Sequence, residues 1–161
     1  MLELAWPFLN FNRTAKKELL TGDFSETETI VQIQVKSIWL MHDSWEKFSL
    51  LGSFVTEFIS NSPLIHCWVE IQTENNWYCA QFEKDFVLRL TKHDSMEGVS
   101  ERGKLIARNE KNKKITVVKG PYRPRDRNMG EVLDFMMRYD GKYNLASNNC
   151  QHFGKKCYSW I

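Results

Sequence analysis

Two runs dense in β-branched and aromatic residues, IHCWVEIQ over residues 65–72 and WYCAQFEKDF over residues 77–86, stand only four residues apart in this sequence. Those residue types suit a pleated, buried surface, and the intervening Thr73, Glu74, Asn75 and Asn76 favour a reversal of the chain. The pair therefore predicts a hairpin, around which the remaining elements must be arranged. Asn61, Ser62 and Pro63 close off what precedes it, since Pro cannot continue a helical hydrogen-bond ladder and disfavours helical geometry in the residue before it.

Periodicity supplies the other elements. Residues 29–39 alternate, with Val31, Ile33 and Val35 on one face and Gln32 and Gln34 on the other, the pattern of a half-buried strand. Residues 43–60 place Trp45, Phe48, Leu51, Val55, Phe58 and Ile59 at helical spacing, with Asp43 or Ser44 available as a cap. Residues 86–90, 104–107 and 114–119 are shorter strand candidates, separated by polar loops around 94–98 and 109–112. A helix is expected over 128–139, where Met129, Val132, Leu133 and Met136 form a stripe, and Asp140 and Gly141 end it. The last piece, 147–161, carries Cys150, Phe153, Cys157 and Trp160 on one helical face, with Cys150 at or near the first turn. No repeat or interdomain linker interrupts this order. The expectation is one α+β domain over 1–161, an antiparallel sheet packed against helices, with 1–60 as an amino-terminal strand and helix extension to a core over 64–161.

The chain has 161 residues, 42% of them hydrophobic, enough for one core. A net charge of +2 gives no reason to expect nucleic acid as a partner, and the basic stretches at 111–114 and at Arg123, Arg125 and Arg127 read as solvated faces. Lys36, Asp43, Glu46, Lys47 and Glu57 break up the most apolar region, so no transmembrane segment is expected. Residues 1–12 are apolar but lack the basic start and small-residue cleavage site of a secretory signal. Four cysteines, Cys67, Cys79, Cys150 and Cys157, without a C-x-x-C pair, suggest reduced thiols in a cytoplasmic setting and call for neither metal nor cofactor. The oligomeric state is left open.

Chemistry concentrates on Cys150. A thiol is nucleophilic as thiolate, and the first turn of a helix stabilises that anion through unpaired N–H groups and the macrodipole; the same groups can hold the oxyanion of a tetrahedral intermediate. An ordinary buried cysteine suits the same position, and for Cys157 that is the simpler reading. His66 opens the first hairpin strand and is the histidine with a context, which His42, His93 and His152 lack.

The segment YNLASNNCQHFGKKC, residues 143–157, resembles the asparagine-cysteine-acid-histidine-phenylalanine motif of the lecithin:retinol acyltransferase-like proteins, and HCWVEI, residues 66–71, resembles their histidine-bearing strand. The likeness covers about residues 64–161 and extends, more distantly, to the PPPDE-type peptidases; both families are permuted papain-like enzymes. It implies a permuted papain-like fold with Cys150 as nucleophile at the start of the last helix and His66 as its base. It implies a cysteine-dependent acyltransferase or hydrolase working through an acyl-enzyme on an acyl-bearing lipid or protein. The alternatives are a peptidase of a protein modifier and an inactive interaction module. Where those acyltransferases carry a second His, the facing hairpin strand here offers Gln81, with Glu83 on the same face, as orienter of His66. Gln151 replaces the family's usual Glu, and the sequence stops at Ile161, where several acyltransferases continue into a membrane anchor.

Overall fold

The computed structural model describes residues 16–18, 25–39, 65–83, 87–104, 115–139 and 149–161. The helix expected over 43–60 lies outside them, as do Asp140, Gly141 and the polar loop at 109–112. The strands are β1 (Lys16–Glu18), β2 (Ile30–Trp39), β3 (Ile65–Thr73), β4 (Trp77–Phe82), β5 (Val87–His93) and β6 (Thr116–Tyr122). The helices are α1 (Met96–Lys104), α2 (Met129–Arg138) and α3 (Cys150–Trp160). The strands form one sheet in the order β1-β5-β4-β3-β2-β6, antiparallel from β5 to β6, with β1 added parallel at one edge. The molecule is thus α+β, with an antiparallel sheet packed against helices.

The hairpin forms where its sequence requires. Thr73 N–H donates to the carbonyl of Asn76 (2.9 Å), and Asn76 N–H donates to Thr73 Oγ1 (3.0 Å), closing the turn. Glu28 clamps it, accepting from Thr73 Oγ1 (2.6 Å), Asn76 Nδ2 (2.7 Å) and the Tyr78 hydroxyl (3.0 Å).

On one face of the sheet, α3 lies against β2 and β3. Gly154 permits the close approach: a Cβ there would come 3.2 Å from Val35 Cγ1 and 4.0 Å from Cys67 Cβ. Phe153 is fully buried in this layer and meets Tyr139 edge-on at 5.2 Å, with Phe82 and Phe135 at 6.3 and 6.0 Å. The expected stripe of α2 is inward here, Met129, Val132 and Met136 being buried and Leu133 partly so. Each large side chain sealed in this way contributes about 1.5–3 kcal/mol.

The opposite face is covered by α1, and the structure corrects the sequence reading at three places, two of them on this face. Residues 94–98, expected as a loop, lead into a helix from Met96, and Lys104, expected to open a strand, is its last residue. The reason is that α1 turns polar groups inward, so the apolar period of a helix is missing: of its residues only Val99 and Gly103 are buried. Secondly, β2 is not half-buried. Gln34 lies inside and donates to Glu70 Oε2 (2.8 Å), because the face of β2 expected to be polar adjoins the buried Glu70 of β3, which α1 covers through Ser100. Glu70 is itself satisfied by Lys36 Nζ (2.7 Å), Trp68 Nε1 (3.0 Å) and Ser100 Oγ (3.1 Å), as a buried carboxylate must be. Thirdly, Trp160 does not complete the buried stripe of α3; it is 48% exposed and touches Phe135 at the rim (5.8 Å).

Candidate active site

The last helix begins at Cys150 because Asn149 caps it. Asn149 Oδ1 accepts from the amides of Gln151 (2.9 Å) and His152 (3.3 Å), while His152 Nδ1 accepts from Asn149 N–H (3.3 Å), a reciprocal capping box. The box sets a task for His152 that spacing alone did not reveal, since the residue in that position is ordinarily Glu or Gln. The same Nδ1 stands 2.9 Å from Asn149 Oδ1, an oxygen that can only accept, so this contact calls for a proton on Nδ1 where the backbone contact calls for a lone pair. Burial, with Lys155 and Lys156 nearby, lowers the His152 pKa.

The cap delivers the Cys150 sulfur to the edge of β3. Cys67 N–H donates to Sγ (3.5 Å), and the thiol donates to the carbonyl of Ile65 (3.5 Å). Backbone groups of residues two apart in a strand point the same way, so the sulfur lies beside the main chain of His66. The ladder explains why those groups are open to it. β3 pairs with β2 along its whole length, to Trp39↔Ile65, but its register with β4 ends at Val69↔Ala80. A gap between β3 and β4 begins there, and Cys150 fills it from the α3 side.

His66 and Gln81 border the same gap. His66 Nε2 lies 3.1 Å from Gln81 Oε1, and the imidazole stacks on Trp68 with centroids 6.1 Å apart. Strand alternation puts this ring on the α1 face, so imidazole and sulfur approach one backbone segment from opposite faces. The structure therefore brings His66 and Gln81 into direct contact, and brings Cys150 onto the main chain flanking His66. Glu83 comes next in line: Gln81 Nε2 donates to its Oε1 (2.7 Å). Arg102 Nη2 donates to the same oxygen (2.6 Å), and Arg89 Nη1 pairs with Oε2. The role of Arg102 was hidden because it rides on α1; that of Glu83 had a signal, its place two residues from Gln81 on the same strand face.

Cys150 is 5% exposed, and burial pushes its thiol up to about 11, against the pull of the amides of Cys67, Gln151 and Cys150 itself. All three amides favour the anion, but in this resting arrangement the sulfur holds its proton and spends it on Ile65. Burial raises Cys67 further, with the neighbouring Cys150 adding to the shift and Lys155 opposing it, and lifts Cys157 to about 12. No three of the His, Cys, Asp and Glu side chains are gathered as for a metal among the described residues, and no helix among them is long and apolar enough to cross a membrane. Compared with protein-family models, curated proteins and solved structures, the chain finds no match in any of the three.

Proposed function

We propose that this protein is a cysteine-dependent acyltransferase or hydrolase on a permuted papain-like fold, as its motifs suggest, with Cys150 as nucleophile, His66 as base and Gln81 as orienter. The observation that carries this reading is the setting of the Cys150 sulfur. It stands at the first residue of a capped helix with the Cys67 amide donating to it, beside the main chain of a histidine that a buried amide holds in place.

The chemistry follows from the resting thiol. With acidity near 11, a standing thiolate–imidazolium pair is not the ground state, so proton transfer to His66 accompanies attack. The S–H turns from Ile65 toward the imidazole across the β3–β4 gap, and sulfur bonds to the carbonyl carbon of an ester or amide. The amides of Cys67 and Cys150 offer donors for the oxyanion. Collapse of the intermediate expels the alcohol or amine, which takes the proton from His66 and leaves a thioester on Cys150. Water or an acyl acceptor then attacks the thioester, His66 removes its proton, and the thiol is restored.

Exposing the protein to p-nitrophenyl acetate tests this. Wild type should gain one acetyl group on Cys150 by intact mass and turn over, whereas Cys150→Ala should show neither and keep its circular dichroism spectrum. Equal turnover by the variant would remove Cys150 from the chemistry. A peptidase acting on a protein modifier uses the same constellation, and amide fusions in place of the ester separate the two. The deep burial of Cys150 favours a second reading, an interaction module with an inert thiol, for which wild type would form no adduct at all.

A further inference from the structure

We propose that Glu83 is a positioning residue which, with Arg89 and Arg102, dictates the tautomer of His66 through the side-chain amide of Gln81. A carboxylate paired with two guanidinium groups can only accept hydrogen bonds. Its contact with Gln81 at 2.7 Å must therefore be made by the NH2 end of that amide, which turns Oε1 the other way. The amide oxygen then faces His66 Nε2 at 3.1 Å, and since oxygen can only accept, the ring must carry its proton on Nε2. Nδ1 is left with a lone pair. A charge on the far side of two side chains thus decides which nitrogen of the His66 ring carries the proton and which the lone pair.

All of these groups are sealed enough for the choice to hold: Gln81 is fully buried, His66 is 2% exposed and Glu83 is 6% exposed. Water therefore cannot readily substitute for either end of the Gln81 amide. The ring state itself follows from the geometry alone; its importance for turnover rests on the acyl-enzyme reading.

Nitrogen-15 spectra of the full chain, with the His66 ring assigned in its neutral form, test the relay. Wild type should show a protonated Nε2 and a bare Nδ1. In Glu83→Gln the side chain at 83 can present NH2 as well as oxygen, so the Gln81 amide is free to reverse and the two ring nitrogens should move toward averaged shifts. A wild-type ring protonated on Nδ1, or a folded Glu83→Gln variant with an unchanged ring, would overturn the proposal. If Glu83→Gln does not fold, the wild-type spectrum still decides the tautomer, and Gln81→Leu, which leaves Glu83 with both arginines, should give the same averaging. With p-nitrophenyl acetate, Glu83→Gln should lose about tenfold or more in kcat with little change in KM. Absence of turnover from every form would count against the acyl-enzyme reading, while the ring spectra would still judge the relay.

Discussion

Cys67 on β3 and Cys150 at the head of α3 meet at one short stretch of backbone, yet they differ in what surrounds the sulfur. Cys67 points into the layer beneath α3 and is 2% exposed, while Cys79 and Cys157 are fully buried. Cys150 is the most accessible of the four at 5%, and its acidity is the least suppressed, near 11 against about 12 for Cys157 and higher for the others. The difference lies in the three amides at its sulfur, which partly offset desolvation for this cysteine. Iodoacetamide should accordingly alkylate Cys150 first, ahead of the other three by about tenfold at neutral pH, given the unit or more that separates their acidities. Peptide mass mapping over time would show the order. If Cys157 reacts as fast as Cys150, the cap and the amides confer no advantage on this sulfur, and the case for a nucleophile at residue 150 weakens with it.

Among the elements, α1 repays the closest attention, because its contact with the sheet is set by a missing side chain. A Cβ at Gly103 would come 2.4 Å from two atoms of the Trp68 indole, which is fully buried and hydrogen-bonded to Glu70. Gly103→Ala gains about 1 kcal/mol of helix propensity, but either the helix must rise or the indole must leave its place. Overpacking of that kind costs more, and the variant should lose about 1–3 kcal/mol in urea unfolding. An unchanged or raised midpoint would show that α1 does not press on Trp68. The same element marks where sequence reading fails. The hairpin, α2 and α3 were readable because each keeps a simple rule, β-rich runs about a turn or an apolar stripe behind a cap, and the position of Cys150 at the first turn came with them. Hairpin folding and alternation put Gln81 and Glu83 together on the face opposite His66 without separating the two, and the structure sets Gln81 against His66 with Glu83 behind it. In α1 it is Ser100 and Arg102 that reach the sheet, meeting the buried carboxylates of Glu70 and Glu83. A helix whose inward face is polar carries no hydrophobic period, so neither it nor the arginine it brings to the site could be read from spacing.

At the scale of the whole molecule, covering both faces of the sheet has a consequence that no single site shows. All four cysteines are buried and none is in a disulfide, so every thiol is protonated in the native state well past the pH at which it ionises in an unfolded chain, about 8.5. Cys150 ionises near 11 and Cys157 near 12, with Cys67 and Cys79 driven higher still, in each case chiefly by burial. Above about pH 8.5, then, the unfolded chain has given up protons that the native protein retains, and stability must fall as pH rises. Each thiol contributes a slope approaching about 1.4 kcal/mol per pH unit until its native acidity is reached, after which its contribution levels off. Urea midpoints under reducing conditions should therefore drop steadily from about pH 8.5 to about pH 10.5, steeply enough to reflect several protons. Cys150→Ala should flatten that slope by close to one proton over this range, since the replaced thiol ionises in the unfolded chain and not in the native one. Midpoints that stay level across the interval would mean that the thiols meet water in the native state, and the two-faced burial of the sheet would have to be abandoned.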